Sequence, residues 1–194
     1  MKKMLITGFE PFGGEVMNPS WESVSRLPDR IGEYELTKIQ IPVVFGEAAK
    51  IVIEEAEKNG AEAIVCVGQA GGRNAITPEL VAINLRYAQV PDNNGSQPKD
   101  EPIVFGGERA YFSTLPVRKM SEAISTSGIA SSLSYSAGSY VCNDLLYSLL
   151  SHFENKNTRV CFVHVPYSKE QGKEPCMDIE EIIKGLKVAI EAID

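Results

Sequence analysis

Cys142 is the residue best placed for covalent chemistry in this 194-residue chain. It lies in Ser136–Asn143 (SAGSYVCN), between a stretch that reads as a polar strand, Ser131–Ser136, and one that reads as a helix, Val141–Phe153. That order puts the thiol in the first turn of a helix. Unpaired N–H groups at a helix start favour an anion, whether a thiolate or a tetrahedral oxyanion. An isolated cysteine is more often a small buried hydrophobe, so a nucleophile needs a base to go with it. The chain has two histidines, His152 and His164. His152 is ten residues further along the same helix, roughly 15 Å away along its axis. A catalytic hydrogen bond spans about 3 Å, which excludes it. His164 closes the apolar run Arg159–Val165 (RVCFVHV), just before Pro166. In open α/β sheets chemistry gathers at the carboxyl ends of parallel strands, so His164 is the base that geometry allows. A third group must hold the imidazole in one tautomer. The turn Gly68-Gln69-Ala70-Gly71-Gly72-Arg73 and the nearby Glu79 offer amide and acidic candidates. Taken alone, Glu79 reads as a solvated surface carboxylate.

The elements that must carry these residues follow from patterning. Lys3–Gly8 and Ala63–Val67 (AIVCV) are apolar runs of the kind found in strands covered on both faces. Glu35–Val44 and Leu80–Leu85 alternate, as half-buried strands do. Asn18 followed by Pro19 marks a helix start, with Trp21, Val24 and Leu27 on one apolar face. Helices are also expected over Gly46–Asn59, stopped by Gly60, over Val117–Thr126, and over Asp178–Ile193. The last has Ile179, Ile182, Ile183, Leu186 and Ile190 toward the core. The turn-rich Pro91–Pro102 (PDNNGSQPKDEP) is a surface loop. Strands alternating with helices predict an α/β fold with a largely parallel sheet, in a single domain over residues 1–194.

Bulk properties exclude several function classes. A net charge of −7, with no basic run, argues against a nucleic-acid partner. No apolar stretch reaches the roughly 20 residues of a membrane span. The short run Met4–Thr7 after two lysines is too brief for a secretory signal, which points to the cytoplasm. There the four cysteines, Cys66, Cys142, Cys161 and Cys176, stay reduced. None forms a C-x-x-C pair, so a zinc site is not expected. The glycine-rich turn lacks the spacing of a phosphate loop or a dinucleotide fingerprint.

With those residues in view, the chain resembles the pyrrolidone-carboxylate peptidase family, also called pyroglutamyl peptidase type I. The resemblance runs through Gly8–Gly14 (GFEPFGG), Asn18–Trp21 (NPSW), Gly68–Asn84 (GQAGGRNAITPELVAIN), Pro91-Asp92-Asn93, Tyr111–Val117 (YFSTLPV), Ser136–Asn143 and Phe162–Tyr167 (FVHVPY). It implies a three-layer α/β/α sandwich with a mixed, largely parallel central sheet, similar to purine nucleoside phosphorylases. It implies a cysteine exopeptidase that removes N-terminal pyroglutamate from peptides, with Cys142, His164 and Glu79 as the catalytic set. Phe9 and Phe12 are then pocket walls, with Gln69, Tyr140 and Val141 lining the rest, partly through backbone groups. No metal or other cofactor is implied, and the assembly is a homo-oligomer, often a tetramer.

Two positions depart from the pattern that the resemblance implies. Leu80 follows Glu79 where a basic residue is usual, and Gln89 stands two residues before Pro91 where an arginine is usual. These departures leave room for a protein that keeps the pocket but hydrolyses weakly. A nucleoside phosphorylase is a third reading that rests on fold analogy alone. Phosphate-dependent cleavage of nucleosides separates it from the first two.

Overall fold

A computed structural model describes residues 1–194. Its strands are β1 (Lys2–Phe9), β2 (Arg30–Ile31), β3 (Tyr34–Ile41), β4 (Ala63–Gln69), β5 (Thr77–Glu79), β6 (Val81–Ile83), β7 (Ala110–Phe112), β8 (Arg159–Val165), β9 (Tyr167–Ser168) and β10 (Cys176–Met177). The helices are α1 (Pro19–Ser25), α2 (Glu47–Asn59), α3 (Val117–Thr126), α4 (Val141–His152) and α5 (Ile179–Glu191), with a short 3-10 turn at Lys169–Gln171.

The main sheet has the order β2-β3-β1-β4-β8-β5. β3, β1, β4 and β8 are parallel, while β2 and β5 run antiparallel at the two edges. One face carries Met4, Ile6, Val65, Cys161 and Val163 and is covered by α1, α3 and α5. The other carries Leu5, Ile64, Cys66, Val160 and Phe162 and is covered by α2 and α4. The sheet is largely parallel, as the alternating pattern predicts, and the mixed three-layer sandwich is the one that the family resemblance implies. Burial on both faces explains why β1, β4 and β8 read as continuous apolar runs rather than alternating ones.

The ends of the elements follow local chemistry. Asn18 caps α1 by accepting from the Ser20 N–H, with Pro19 as the first helical residue. Gly60 ends α2 in a left-handed conformation that glycine adopts without strain. Asp178 caps α5 by accepting from the Glu180 N–H.

Three segments differ from expectation. Ser131–Ser136 is not a strand; it meets β5 and the residue before it through isolated bridges, Ile76 to Ser131 and Glu79 to Ser134. Leu80–Leu85 keeps only Val81–Ile83 as a strand, paired with β7 in a separate two-stranded ribbon. β5 itself, the threonine-proline-glutamate run before it, carries no alternation and was not expected. It pairs with β8 at the sheet edge, where a proline without an N–H is tolerated.

Candidate active site

Register brings the candidate residues together. β4 and β8 align Gly68 with His164, so both point to the same face of the sheet. That face also holds Phe162 and the α4 layer. Cys142 is the second residue of α4. A Cβ added to Gly68 would lie 3.2 Å from Cys142 Sγ and 2.6 Å from Phe162 Cζ. The Phe162 ring thus fills the space that the missing side chain of Gly68 leaves, with the Cys142 thiol at its edge, at the carboxyl ends of β4 and β8.

His164 is buried, and its Nδ1 lies 2.6 Å from Glu79 Oε1. The antiparallel pairing of β5 with β8 sets this contact, because Glu79 lies opposite Phe162 and Thr77 opposite His164. Glu79 is completely buried, contrary to its reading as a surface carboxylate. Burial alone would raise its pKa, but the His164 hydrogen bond and charge, Ser134 and Arg73 together pull it below the usual carboxylate range. Arg73 and Arg86 both stand near this site in sequence, and it is Arg73 that reaches Glu79. Its Nη1 donates to Glu79 Oε1 at 2.7 Å and to Thr77 Oγ1 at 2.6 Å, and its Nη2 donates to the Ser136 carbonyl at 3.2 Å. One carboxylate oxygen therefore serves both the imidazole and the guanidinium, while Glu79 Oε2 is buried without a partner. Leu80, the first departure, packs against the α1, α3 and α5 face. The positive charge beside Glu79 comes from Arg73 instead.

Electrostatics oppose a resting thiolate. Burial, then the negative charge of Glu79, pushes the Cys142 thiol up to about 12. Burial lowers the pKa of His164 against the raising pull of Glu79. The expected help from the helix start is present but loses to desolvation. At neutral pH this leaves a neutral thiol on the same sheet face as a neutral imidazole whose proton on Nδ1 points to Glu79. The N-cap Tyr140 makes no side-chain capping bond, so the first-turn N–H groups of α4 stay without a cap.

Beside the thiol is a small pocket of about 50 Å³ lined by Phe9, Phe12, Asn18, Val43, Gln69, Tyr140 and Cys142. None of these side chains is charged. Phe9 is the last residue of β1 and only 2% exposed, tilted against Phe162 at 6.3 Å between ring centres. It forms the floor of the pocket rather than an exposed loop wall. Phe12 lies in the loop beyond β1 and is half-buried. Val141 differs from expectation: its side chain is fully buried in the α4 core and absent from the lining, so only its backbone is available to a ligand. Gln89, the second departure, lines a neighbouring hollow with Tyr87, Val90, Ala137, Gly138, Ser139 and Tyr140.

Further residues hold α4 in place. Asn143 accepts from the Ile83 N–H and donates to the Ile83 and Leu85 carbonyls, which ties the helix start to β6. The buried Asp144 accepts from Arg86 Nε at 2.6 Å and from the Gly46 N–H at 2.7 Å. Their position directly after Cys142 was the one available signal, since their partners lie 58 to 98 residues away. His152 ends α4 at the surface, where it meets Glu57 and Lys156.

The close fit at Gly68 yields a direct prediction. Gly68→Ala forces Phe162 or the thiol to shift, and the expected result is a loss of roughly 10²-fold in kcat/KM with the fold retained by circular dichroism. Unchanged turnover would mean that the thiol position has no bearing on rate.

Comparison with known proteins agrees with this geometry. The family described as pyroglutamyl peptidase matches residues 2–194. The pyrrolidone-carboxylate peptidase of Thermosipho africanus is 48% identical, with 98% of this chain and 96% of that one covered. That of Lactobacillus helveticus is 44% identical, with 97% of each covered. The crystal structure of Bacillus amyloliquefaciens pyroglutamyl peptidase I superposes with a TM-score of 0.95 at 43% identity, covering 100% of this chain and 97% of that one. Pyrrolidone carboxyl peptidase from Thermococcus litoralis also gives 0.95, at 35% identity, with 100% and 93% covered. The chain belongs to the pyroglutamyl peptidase family, cysteine peptidases that remove N-terminal pyroglutamate.

Proposed function

We propose that this chain hydrolyses the amide bond after an N-terminal pyroglutamyl residue through a thioester on Cys142, with His164 carrying the proton and Glu79 holding His164. The carrying observation is the fully buried Glu79 bonded at 2.6 Å to His164 Nδ1, with the thiol on the same sheet face. Because Nδ1 is engaged, Nε2 is the nitrogen left for proton transfer.

The steps balance as follows. As Cys142 Sγ attacks the pyroglutamyl carbonyl carbon, its proton passes to His164 Nε2. The carbonyl oxygen becomes an oxyanion, which the uncapped N–H groups at the start of α4 are suited to receive. The C–N bond then breaks and the imidazolium protonates the departing amine. Water gives its proton to His164 Nε2 and attacks the thioester, and the thiol leaves with that proton as pyroglutamate is released. Glu79 stabilises the imidazolium in both halves of the cycle.

The pocket suits this substrate class. Pyroglutamate is an uncharged lactam, and the lining offers aromatic and aliphatic walls with a few amide groups and no ion. Phe9, Phe12 and Tyr140 would flank the ring, Gln69 would meet its polar edge, and the Val141 backbone would lie near the scissile carbonyl. A phosphorylase would need a free cation for phosphate, whereas Arg73 is spent on Glu79, Thr77 and Ser136.

The test is release of fluorophore from a pyroglutamyl-coumarin amide near neutral pH under reducing conditions. Steady turnover is expected. Calorimetric binding of pyroglutamate without turnover would instead favour the pocket-only reading.

We read residues 1–194 as one domain, because both core clusters share the main sheet. No helix is long and apolar enough to cross a membrane. Four free cysteines support a cytoplasmic setting. The outer face of the β6–β7 ribbon exposes Ile83 and Phe112, with Val104 and Phe105 beside it. Such an apolar face supports assembly into a homo-oligomer, in this reading a tetramer.

A further inference from the structure

The ring pocket accounts for one side of the scissile bond only. It measures about 50 Å³, and its lining ends at Tyr140 and Cys142. A carbonyl held over Cys142 Sγ, with its ring in this pocket, sends the departing nitrogen and the residue attached to it the other way. The far rim is tied shut. Gln171 Nε2 donates to Gln69 Oε1 at 2.9 Å and to Glu15 Oε2 at 3.3 Å, and Lys173 pairs with the same carboxylate.

Beyond Tyr140 the neighbouring hollow begins, and Tyr140 lines both. The hollow holds about 250 Å³, against about 50 Å³ for the ring pocket. Its walls are residues 87–90 and 137–140, and they are laced together. The Tyr87 N–H donates to the Ser139 carbonyl at 3.0 Å, and the Ser139 hydroxyl donates to the Tyr87 carbonyl at 3.1 Å. The Tyr140 hydroxyl donates to the Pro91 carbonyl at 3.0 Å. The hollow is therefore formed before any ligand arrives.

Its chemistry is apolar. Tyr87 and Val90 are 36% and 57% exposed there, and no lining side chain is charged. The charges that touch its walls are positive. Lys99 Nζ lies 4.9 Å from the centre of the Tyr87 ring, and Arg73 donates to the Ser136 carbonyl just ahead of the wall. Asp92 is buried, accepts from the Phe45, Asn94 and Ser96 N–H groups, and is absent from the lining.

We propose that this hollow binds the residue that follows pyroglutamate, and that it favours an apolar side chain, aromatic first, over a basic one. The inference rests on the pyroglutamyl reading and deepens it. An aromatic side chain there covers the exposed faces of Tyr87 and Val90. A lysine there meets Lys99 and gains no counter-charge, because Gln89 at the rim is neutral.

The experiment places the amides of pyroglutamyl-phenylalanine, pyroglutamyl-alanine and pyroglutamyl-lysine in one mixture, so that their relative rates of cleavage report kcat/KM. Phenylalanine should exceed alanine roughly tenfold, the scale of a modest apolar contact. Lysine should fall about threefold below alanine, as for one exposed like-charge contact. Tyr87→Ala should cut the first ratio to about threefold or less. The inhibition constant of 2-pyrrolidone, the bare ring, should stay within about twofold, because Tyr87 does not line the ring pocket. Gln89→Glu should bring lysine at least level with alanine. A phenylalanine preference that is absent, or that survives Tyr87→Ala, would overturn the proposal. So would a rise in the 2-pyrrolidone constant that matches the loss, or a lysine rate unmoved by Gln89→Glu. Equal cleavage of all three amides overturns this inference alone, whereas cleavage of none overturns the functional reading on which it rests.

Discussion

Cys142→Ala should reduce hydrolysis of a pyroglutamyl amide by at least roughly 10⁴-fold, the scale seen when a catalytic nucleophile is removed. Removing Cys176, half-buried and distant in sequence from the pocket residues, should leave the rate nearly unchanged. His152→Ala should do the same, because that side chain only meets Glu57 and Lys156 at the surface. The same thiol makes a sharper statement through pH. Burial and the charge of Glu79 push Cys142 up to about 12, while burial lowers His164. The free enzyme then holds a neutral pair across the neutral range, and the thiolate forms only as substrate takes up its charge. Alkylation of Cys142 by iodoacetamide, a neutral reagent, should therefore climb roughly tenfold per pH unit through the alkaline range. A plateau already reached at acid pH would reveal a resting thiolate–imidazolium pair and overturn this account. The reading has a physical consequence for the enzyme. A half-buried neutral thiol resists oxidation between turnovers, because the thiolate is the reactive form.

The candidate site residues are legible in the sequence to different degrees, for reasons that lie in how each is placed. Cys142 and His164 were read from the ends of elements, and such ends are marked locally by a helix start and by Pro166. His152 was removed by helix geometry, which needs no tertiary information. Glu79 came only through family resemblance. It lies on a strand of three residues with proline at its centre, too short for any period to show. Nothing in the local sequence says that its carboxylate is fully buried. The polar stretch Ser131–Ser136 alternates like a strand yet makes only single bridges beside β5. Its role is to carry the chain past Glu79 to Cys142. Phe9 lies just past the apolar run Lys3–Gly8, whereas β1 extends one residue further and buries it. Arg73 stands out at the end of the glycine-rich turn, but its role is not legible there, because it acts through the side chain it touches and that contact exists only once strand order is known. Arg86 reaches Asp144 across 58 residues in the same way.

Substitution of Glu79 has the second largest expected effect, and its sign in pH distinguishes two roles. In many triads an amide in place of the carboxylate also turns the imidazole to the wrong tautomer, at a cost of roughly 10⁴-fold. Here Arg73 Nη1 and His164 Nδ1 both donate to the same Glu79 oxygen. Two donors at one point force the oxygen of a replacement glutamine toward them, so Glu79→Gln should keep the tautomer and lose only the charge. The expected loss in kcat is then smaller, roughly 10²- to 10³-fold, the part owed to stabilising the imidazolium. Glu79 raises the pKa of His164, so its removal should move the acid limb of the kcat/KM profile to lower pH. Arg73 lowers the same pKa, so Arg73→Ala should move that limb to higher pH while also loosening Glu79. Arg73→Lys should restore part of the charge but not the three-way fork to Glu79, Thr77 and Ser136. Opposite displacements from the two substitutions would establish Glu79 and Arg73 as opposing tuners of one imidazole. Shifts in the same direction would show instead that the two form a purely structural pair, and that the charge on Glu79 plays no part in carrying the proton.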